Sequence, residues 1–386
     1  MRNIDLIVTG LHVRWHGVWQ RPNHILSRLA ARVPVVVLEE PFVASSDVDS
    51  ITCADGITIV KPHRTGDQAE AADAASLKVI QSLVGKRRPL VWLYTPMMME
   101  LANLFPEAPL VFDKMDELSA FAGADPLMNA LESEVLARAD LVFAGGRSLF
   151  RSVRERAVHT RCYPSGVDVQ HFERAMREVP HVKLQPYAGR PVFGYIGVID
   201  ERLDLALVAK VADARPDAVV VLVGPILKIS SASLPQRPNI VYLGKAEYHE
   251  LPALLAGFDV ALMPFALNRH TEHISPTKTL EYLAAGKPVV STAVPDVVED
   301  FADVVYIGAN HDAFVRDVAV AQRPGPERQV CARAKVSAGS WDAVVDSMTA
   351  DLAAFAINLA APENHATSRR HIEVELQDKL VAHSVE

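Results

Sequence analysis

Residues 275–292, SPTKTLEYLAAGKPVVST, carry the side chains with the clearest chemistry in this sequence. Lys278 falls in the first turn of an expected helix that Ser275 can cap and Pro276 can open, proline lacking an N–H that would have no partner there. A cation at that position opposes the helix dipole at a cost of about 0.3–1 kcal/mol. Helix-start N–H groups with Thr277 and a lysine beside them make an anion site, and a phosphate reverses the sign of that cost. Glu281 lies one turn further on, on the same face. A carboxylate beside a phosphate site can accept hydrogen bonds from sugar hydroxyls, as the acidic residue of dinucleotide folds does for ribose. The two residues are spaced as a nucleotide site requires; a solvated surface pair is the plainer alternative.

A second cation repeats the arrangement. In GYIGVIDERLD, Gly197 ends a strand and Arg202 opens the next helix, where an anion is the natural partner and a salt bridge to Asp200 or Asp204 the alternative. Two such cations on strand-end loops of one sheet can converge on one diphosphate. In the first half, the strand PLVF runs into Asp113, Lys114, Met115, Asp116 and Glu117. Like charges there are expected to raise at least one pKa, which suits a general base or a hydroxyl-orienting group; helix capping by Asp116 is the alternative. Residues 11–20 include Trp15, His16, Trp19 and Gln20, with Arg21 next, and follow the first strand, where doubly wound sheets bind ligands. The tryptophans serve equally as lid or core. Asp47 and Asp49 could hold a divalent metal, but a lone Asp-X-Asp in a polar loop is common, so no metal site is expected.

These groups need a framework of alternating strands and helices. Buried strands are expected at residues 4–9, 35–38, 57–60, 89–94, 109–112 and 141–144, with 160–163 closing the first half, and again at 192–199, 218–223, 240–243, 260–263, 289–291 and 304–307. Helical patterns lie between them, at 21–32, 69–83, 127–138, 203–214 and 248–256. The alternation predicts an α/β protein of two doubly wound, Rossmann-like domains facing a cleft. The boundaries fall at 1–165 for the first domain, 166–190 for a Pro- and Gly-punctuated linker, and 191–340 for the second domain. An amphipathic helix follows at 341–360, and 361–386 form a polar tail.

At 386 residues the chain suits two cores rather than one. A formal charge of −8 argues against nucleic acid as a partner, because nucleic-acid-binding domains are usually basic. No signal peptide and no apolar run long enough to span a bilayer is evident. Cys53, Cys162 and Cys331 are too few and too scattered for a disulfide framework or a zinc pattern. The expectation is a cytoplasmic protein, with Lys86, Arg87 and Arg88 able to make peripheral contact with the anionic inner membrane.

PTKTLEYLAAGKPVVST resembles the nucleotide-sugar-binding motif of GT-B glycosyltransferases, in particular the retaining group known as family 4. YPSGVDVQHF is similar to the interdomain segment of that family, and GYIGVIDERLD to its glycine-containing phosphate loop. VWQRPNHILSRLA with FDKMDELSAF resembles a bacterial subgroup acting on surface polysaccharides, including teichuronic acid glycosyltransferases. The resemblance implies the GT-B fold, with the 341–360 helix crossing back to the first domain, and a metal-independent hexosyltransferase without a cofactor. It implies that Glu281 binds the nucleotide ribose, that Arg202 takes the place of the phosphate-binding lysine, and that Pro276, Thr277 and Lys278 meet the diphosphate. Three positions depart from the pattern: His273 replaces the first motif glutamate, Val198 the paired arginine, and Asp113 or Asp116 the histidine of the first domain.

The sequence thus predicts transfer of a sugar from a nucleoside-diphosphate sugar to a hydroxyl of a glycan or lipid-linked acceptor. The second domain would hold the donor and residues 15–21 with Asp113 the acceptor. Arg202 and Lys278 would stabilise the leaving diphosphate, and Asp116 would act as base or orient a hydroxyl. A nucleotide-sugar epimerase or a phosphorylase can share this architecture, because fold does not fix reaction. A non-catalytic nucleotide-sugar-binding subunit of a polysaccharide assembly complex is the alternative from another class.

Overall fold

The computed structural model describes residues 2–359 except 55, 66–71, 122–123 and 270. The tail expected at 361–386 lies outside the described residues. The chain divides into two compact units: residues 1–145, 149–163 and from 344 onward, and residues 146–148 with 164–343.

Seven strands carry the main sheet of the first unit. They are β1 (Leu6–Leu11), β2 (Val35–Glu39), β3 (Ile57–Arg64), β4 (Pro89–Leu93), β5 (Leu110–Lys114), β6 (Leu141–Ala144) and β7 (Thr160–Cys162). They lie in the order β7-β6-β5-β4-β1-β2-β3 and all pair in parallel. The runs are apolar because such strands are covered on both faces: Leu6, Val8, Val36, Leu38, Val91, Leu93, Phe112 and Val142 share one buried cluster. The order reverses between β1 and β4, and a doubly wound sheet opens its ligand crevice at such a point. Helix α1 (Arg21–Ala30) follows β1 and buries Ile25, Leu26 and Leu29.

Residues 43–54 show no clear pattern in the sequence, yet Val48–Ala54 is an antiparallel edge strand on β3. Its outer face is polar or exposed, so apolar alternation is weak. Asp49 lies 2.6 Å from Arg64 in an ion pair, and the Asp47 carboxylate accepts from the Thr65 N–H and hydroxyl. A further two-stranded parallel sheet pairs Arg2–Ile4 with Ile357–Leu359.

The second unit has six parallel strands: β8 (Val192–Ile196), β9 (Val219–Val223), β10 (Ile240–Tyr242), β11 (Val260–Met263), β12 (Val289–Thr292) and β13 (Tyr306–Gly308). Their order, β10-β9-β8-β11-β12-β13, is the 3-2-1-4-5-6 arrangement of dinucleotide-binding sheets, with its reversal between β8 and β11. Helix α2 (Leu205–Ala214) follows β8, and α3 (Lys278–Ala284) lies between β11 and β12. Residues 166–190 do not form the expected linker. They contain the helix Val169–Glu173 and two 3-10 turns, and Phe172, Ala175 and Leu184 are buried in the core of this unit. Single apolar anchors on one-turn helices leave no sustained period to read.

Helix α4 (Trp341–Ala354) begins in the second unit and ends in the first. Among the described residues no helix is long and apolar enough to cross a membrane.

Candidate active site

The second unit gathers its candidate residues at the carboxyl ends of β8 and β11. Helix α3 starts at Lys278, two residues later than the sequence suggests. The Thr279 N–H reaches only to the Pro276 carbonyl, and the first full-turn bond runs from the Glu281 N–H to Thr277. Ser275 and Pro276 therefore belong to the approach, and Thr277 holds the cap position without a side-chain cap bond. At the other end, the Gly286 N–H bonds to Leu283 O and the Lys287 N–H to Tyr282 O, with Gly286 at φ +70°. Those two bonds make a Schellman stop, which requires the left-handed conformation that glycine adopts without strain. Tyr282 fastens the helix to the sheet: its hydroxyl accepts the Ile196 N–H at 2.9 Å at the end of β8.

One residue beyond Ile196, Gly197 has φ +153° and lies beneath Lys278. A β-carbon there would stand 2.2 Å from Lys278 Cε and 2.9 Å from its Nζ. Gly224, directly after β9, packs as tightly: its β-carbon would fall 1.9 Å from the Gly197 carbonyl oxygen. The second glycine was not singled out from sequence, although its place directly after VVVLV mirrors that of Gly197 after the preceding strand.

Burial pushes the Lys278 amine below its ordinary pKa; Glu281 opposes that shift, Arg202 adds to it, and Asp200 opposes it. Burial pushes the Glu281 carboxyl up, against Lys278 and a hydrogen bond from Thr277. Lys278 thus lies within electrostatic reach of Glu281 on its own helix and of Arg202 and Asp200 in the loop after β8. Arg202 is paired with Asp200, its Nη2 lying 2.6 Å from Oδ2. Asp204 caps α2 through the Leu207 N–H and lies 2.6 Å from His311. His273 sits in the loop before α3, with Nδ1 buried and no hydrogen-bond partner.

The first unit treats its candidates unequally. His16 and Trp19 are exposed, whereas Trp15 is buried, with its N–H on the Glu39 carboxylate at 2.7 Å. The Trp15 and Trp19 rings meet edge to face, and Trp19 Nε1 lies 3.3 Å from His24 Nδ1. The Gln20 N–H donates to Asn23 Oδ1, which closes the start of α1.

Arg21 and Asp113 do not present an acceptor-binding surface. The Arg21 side chain is 3% exposed and that of Asp113 fully buried. Arg21 Nε donates to Asp113 Oδ1 at 2.9 Å and Nη1 to the Tyr163 carbonyl at 2.8 Å. Burial raises the Asp113 pKa, with Arg21 opposing. The cause is therefore desolvation rather than the like-charge repulsion expected from the sequence, because the acidic run separates. Lys114 takes Glu117 at 3.0 Å and Glu132 in a buried network, and Asp116 remains partly buried at the strand end.

Residues 190–321 match the family described as Glycosyl transferases group 1. Over 254 residues the chain is 26% identical to TuaH of Bacillus subtilis (strain 168), provisionally assigned as a teichuronic acid biosynthesis glycosyltransferase. That match covers 61% of this chain and 63% of TuaH, just under two thirds of the relative. Among solved structures, sucrose-phosphate synthase from Thermosynechococcus elongatus superposes with a TM-score of 0.68 at 14% identity, covering 89% of this chain and 97% of that one. Anabaena HepE in complex with UDP gives 0.62 at 14% identity, covering 91% and 100%. At those identities the structures speak for the fold alone. The chain thus has the GT-B fold of these structures, its residues 190–321 match the group 1 glycosyl transferases, and over part of its length it is similar to TuaH.

Proposed function

We propose that this protein transfers a sugar from a nucleoside-diphosphate sugar to a hydroxyl of a glycan or lipid-linked acceptor, in the synthesis of a cell-surface polysaccharide. One observation carries the reading: Lys278 lies over Gly197 at the β8 end, within electrostatic range of Arg202 and Glu281. The glycine makes room for the Lys278 side chain at the strand end, and two cations suit the charge that builds on a departing diphosphate. In this reading Glu281 accepts ribose hydroxyls, Ser275, Pro276 and Thr277 meet the diphosphate, and His273 takes the position next to the donor sugar. The group 1 match over residues 190–321 supports a nucleotide sugar in this unit.

On the acceptor side, His16 and Trp19 are the contacts, with Trp15 and Gln20 shaping their loop. Asp116 serves as base if the anomeric centre inverts and orients a hydroxyl if it is retained. The reaction as proposed uses positioning and electrostatics and requires neither metal nor organic cofactor. Peripheral attachment to a membrane would follow from a lipid-linked acceptor. The test is release of nucleoside diphosphate from a panel of UDP, GDP, TDP and ADP sugars without acceptor. Slow release from one donor, reduced about 100–1,000-fold in Lys278→Ala, is the expected result. Binding without release, even with lipid-linked glycans added, would point to the non-catalytic subunit instead.

A further inference from the structure

Arg202 is fixed at every level of its structure. Its backbone N–H and its Nε each donate to Asp200 Oδ1 at 3.0 Å, and Nη2 donates to Oδ2 at 2.6 Å. Its carbonyl accepts the Ala266 N–H at 2.8 Å, and the following residues are tied as well, Leu203 bridging to Phe265 and the Asp204 N–H donating to Pro264 O. The loop after β8 is thereby stitched to the loop after β11, the two strands that flank the reversal of sheet order. The burial is lopsided: the Asp200 side chain is 4% exposed and that of Arg202 28%. A carboxylate that deep is costly unless its charge is compensated in good geometry. Here one buried carboxylate holds both the main chain and the fork of a more exposed arginine, which fixes the plane of the guanidinium.

We propose that Asp200 is a positioning residue for the donor's diphosphate, setting the plane of the Arg202 guanidinium beside Lys278. The inference rests on the donor-site reading above. Two cations brought to one phosphate site repel each other. A carboxylate behind one of them offsets that repulsion and removes the need to reorganise the guanidinium as charge develops. A different role, in which Asp200 occupies Arg202 until a diphosphate displaces it, makes the opposite prediction: removing the carboxylate would then tighten nucleotide binding.

The full-length wild type, Asp200→Asn and Asp200→Glu are compared by calorimetric titration with UDP, GDP, TDP and ADP and by release of diphosphate from the matching sugars. The Asn variant keeps the shape but loses the charge and the Oδ2 acceptor shared by Nη2 and Nε. It should bind the preferred diphosphate within about 3-fold of wild type while release falls about 10–100-fold. The Glu variant keeps the charge but moves it by one methylene, and it should show the same loss of turnover. Tighter binding by the Asn variant, or wild-type release by either variant, overturns the proposal. Should the Asn variant fail to fold, the Glu comparison decides alone. A wild type that binds none of the four diphosphates instead removes the donor-site reading itself.

Discussion

Lys278 runs across the face of Gly197 so closely that a β-carbon on the glycine would stand 2.2 Å from the lysine Cε. Gly197→Ala must displace that side chain and also strain a backbone at φ +153°. Destabilisation of about 1–3 kcal/mol is expected, with loss of donor turnover. Gly189→Ala is the control: its φ of +85° is strained too, but nothing lies within 4 Å of the new carbon. The control should lose some stability in urea melts and leave diphosphate release unchanged. Equal release by both variants would show that the contact with Lys278 is unimportant.

Glu281 gives stability a pH dependence of known sign. Burial raises its carboxyl pKa above the ordinary 4.5, so between that value and the raised one the folded chain keeps a proton that the unfolded chain has released. Stability contributed by this group is complete below 4.5 and falls as pH rises toward the raised value. Glu281→Gln should remove that part of the slope, so that its urea midpoint gains on wild type as pH increases. In nucleotide titrations the same variant should bind about 10–100-fold more weakly, as loss of a charged hydrogen-bond acceptor predicts. A constant gap between the two midpoints from pH 4 to pH 8 contradicts the assignment.

Arg21 and Asp113 form a buried pair, and removing one partner leaves a charge inside the first unit. Arg21→Met is expected to cost about 3–5 kcal/mol in chemical denaturation. Adding Asp113→Asn should restore part of that loss by neutralising the stranded carboxyl. Additive losses in the double variant would mean that the two side chains act independently.

Parallel strands that are apolar on both faces announce themselves, which is why β4, β5, β8, β9 and β12 lie close to their expected positions. The start of α3 shifted because proline and serine favour a helix entrance without fixing which residue makes the first full-turn bond. Val48–Ala54 and residues 166–190 escaped notice because an edge strand and one-turn helices depend on partners far along the chain. The same holds within the site. The nearness of Lys278, Glu281 and Arg202 follows from their place at strand ends of one sheet, which the motifs located. The Arg21–Asp113 pair joins residues on different elements, and a polar residue after a loop looks solvent-facing until its partner is known. Asp200 was visible as a neighbour of Arg202, but the depth of its burial was not.

The small parallel sheet that joins Arg2–Ile4 to Ile357–Leu359 imposes an order on biosynthesis. Residues 344–359 leave the ribosome only after the whole second unit has been made, so the first unit cannot complete its pairing until then. The second unit is nearly continuous and can fold as soon as it emerges, so the usual N-to-C succession of domain folding is reversed at the final step. Until that closing segment arrives, Arg2–Ile4 is a strand without its neighbour, an edge open to wrong pairing during synthesis.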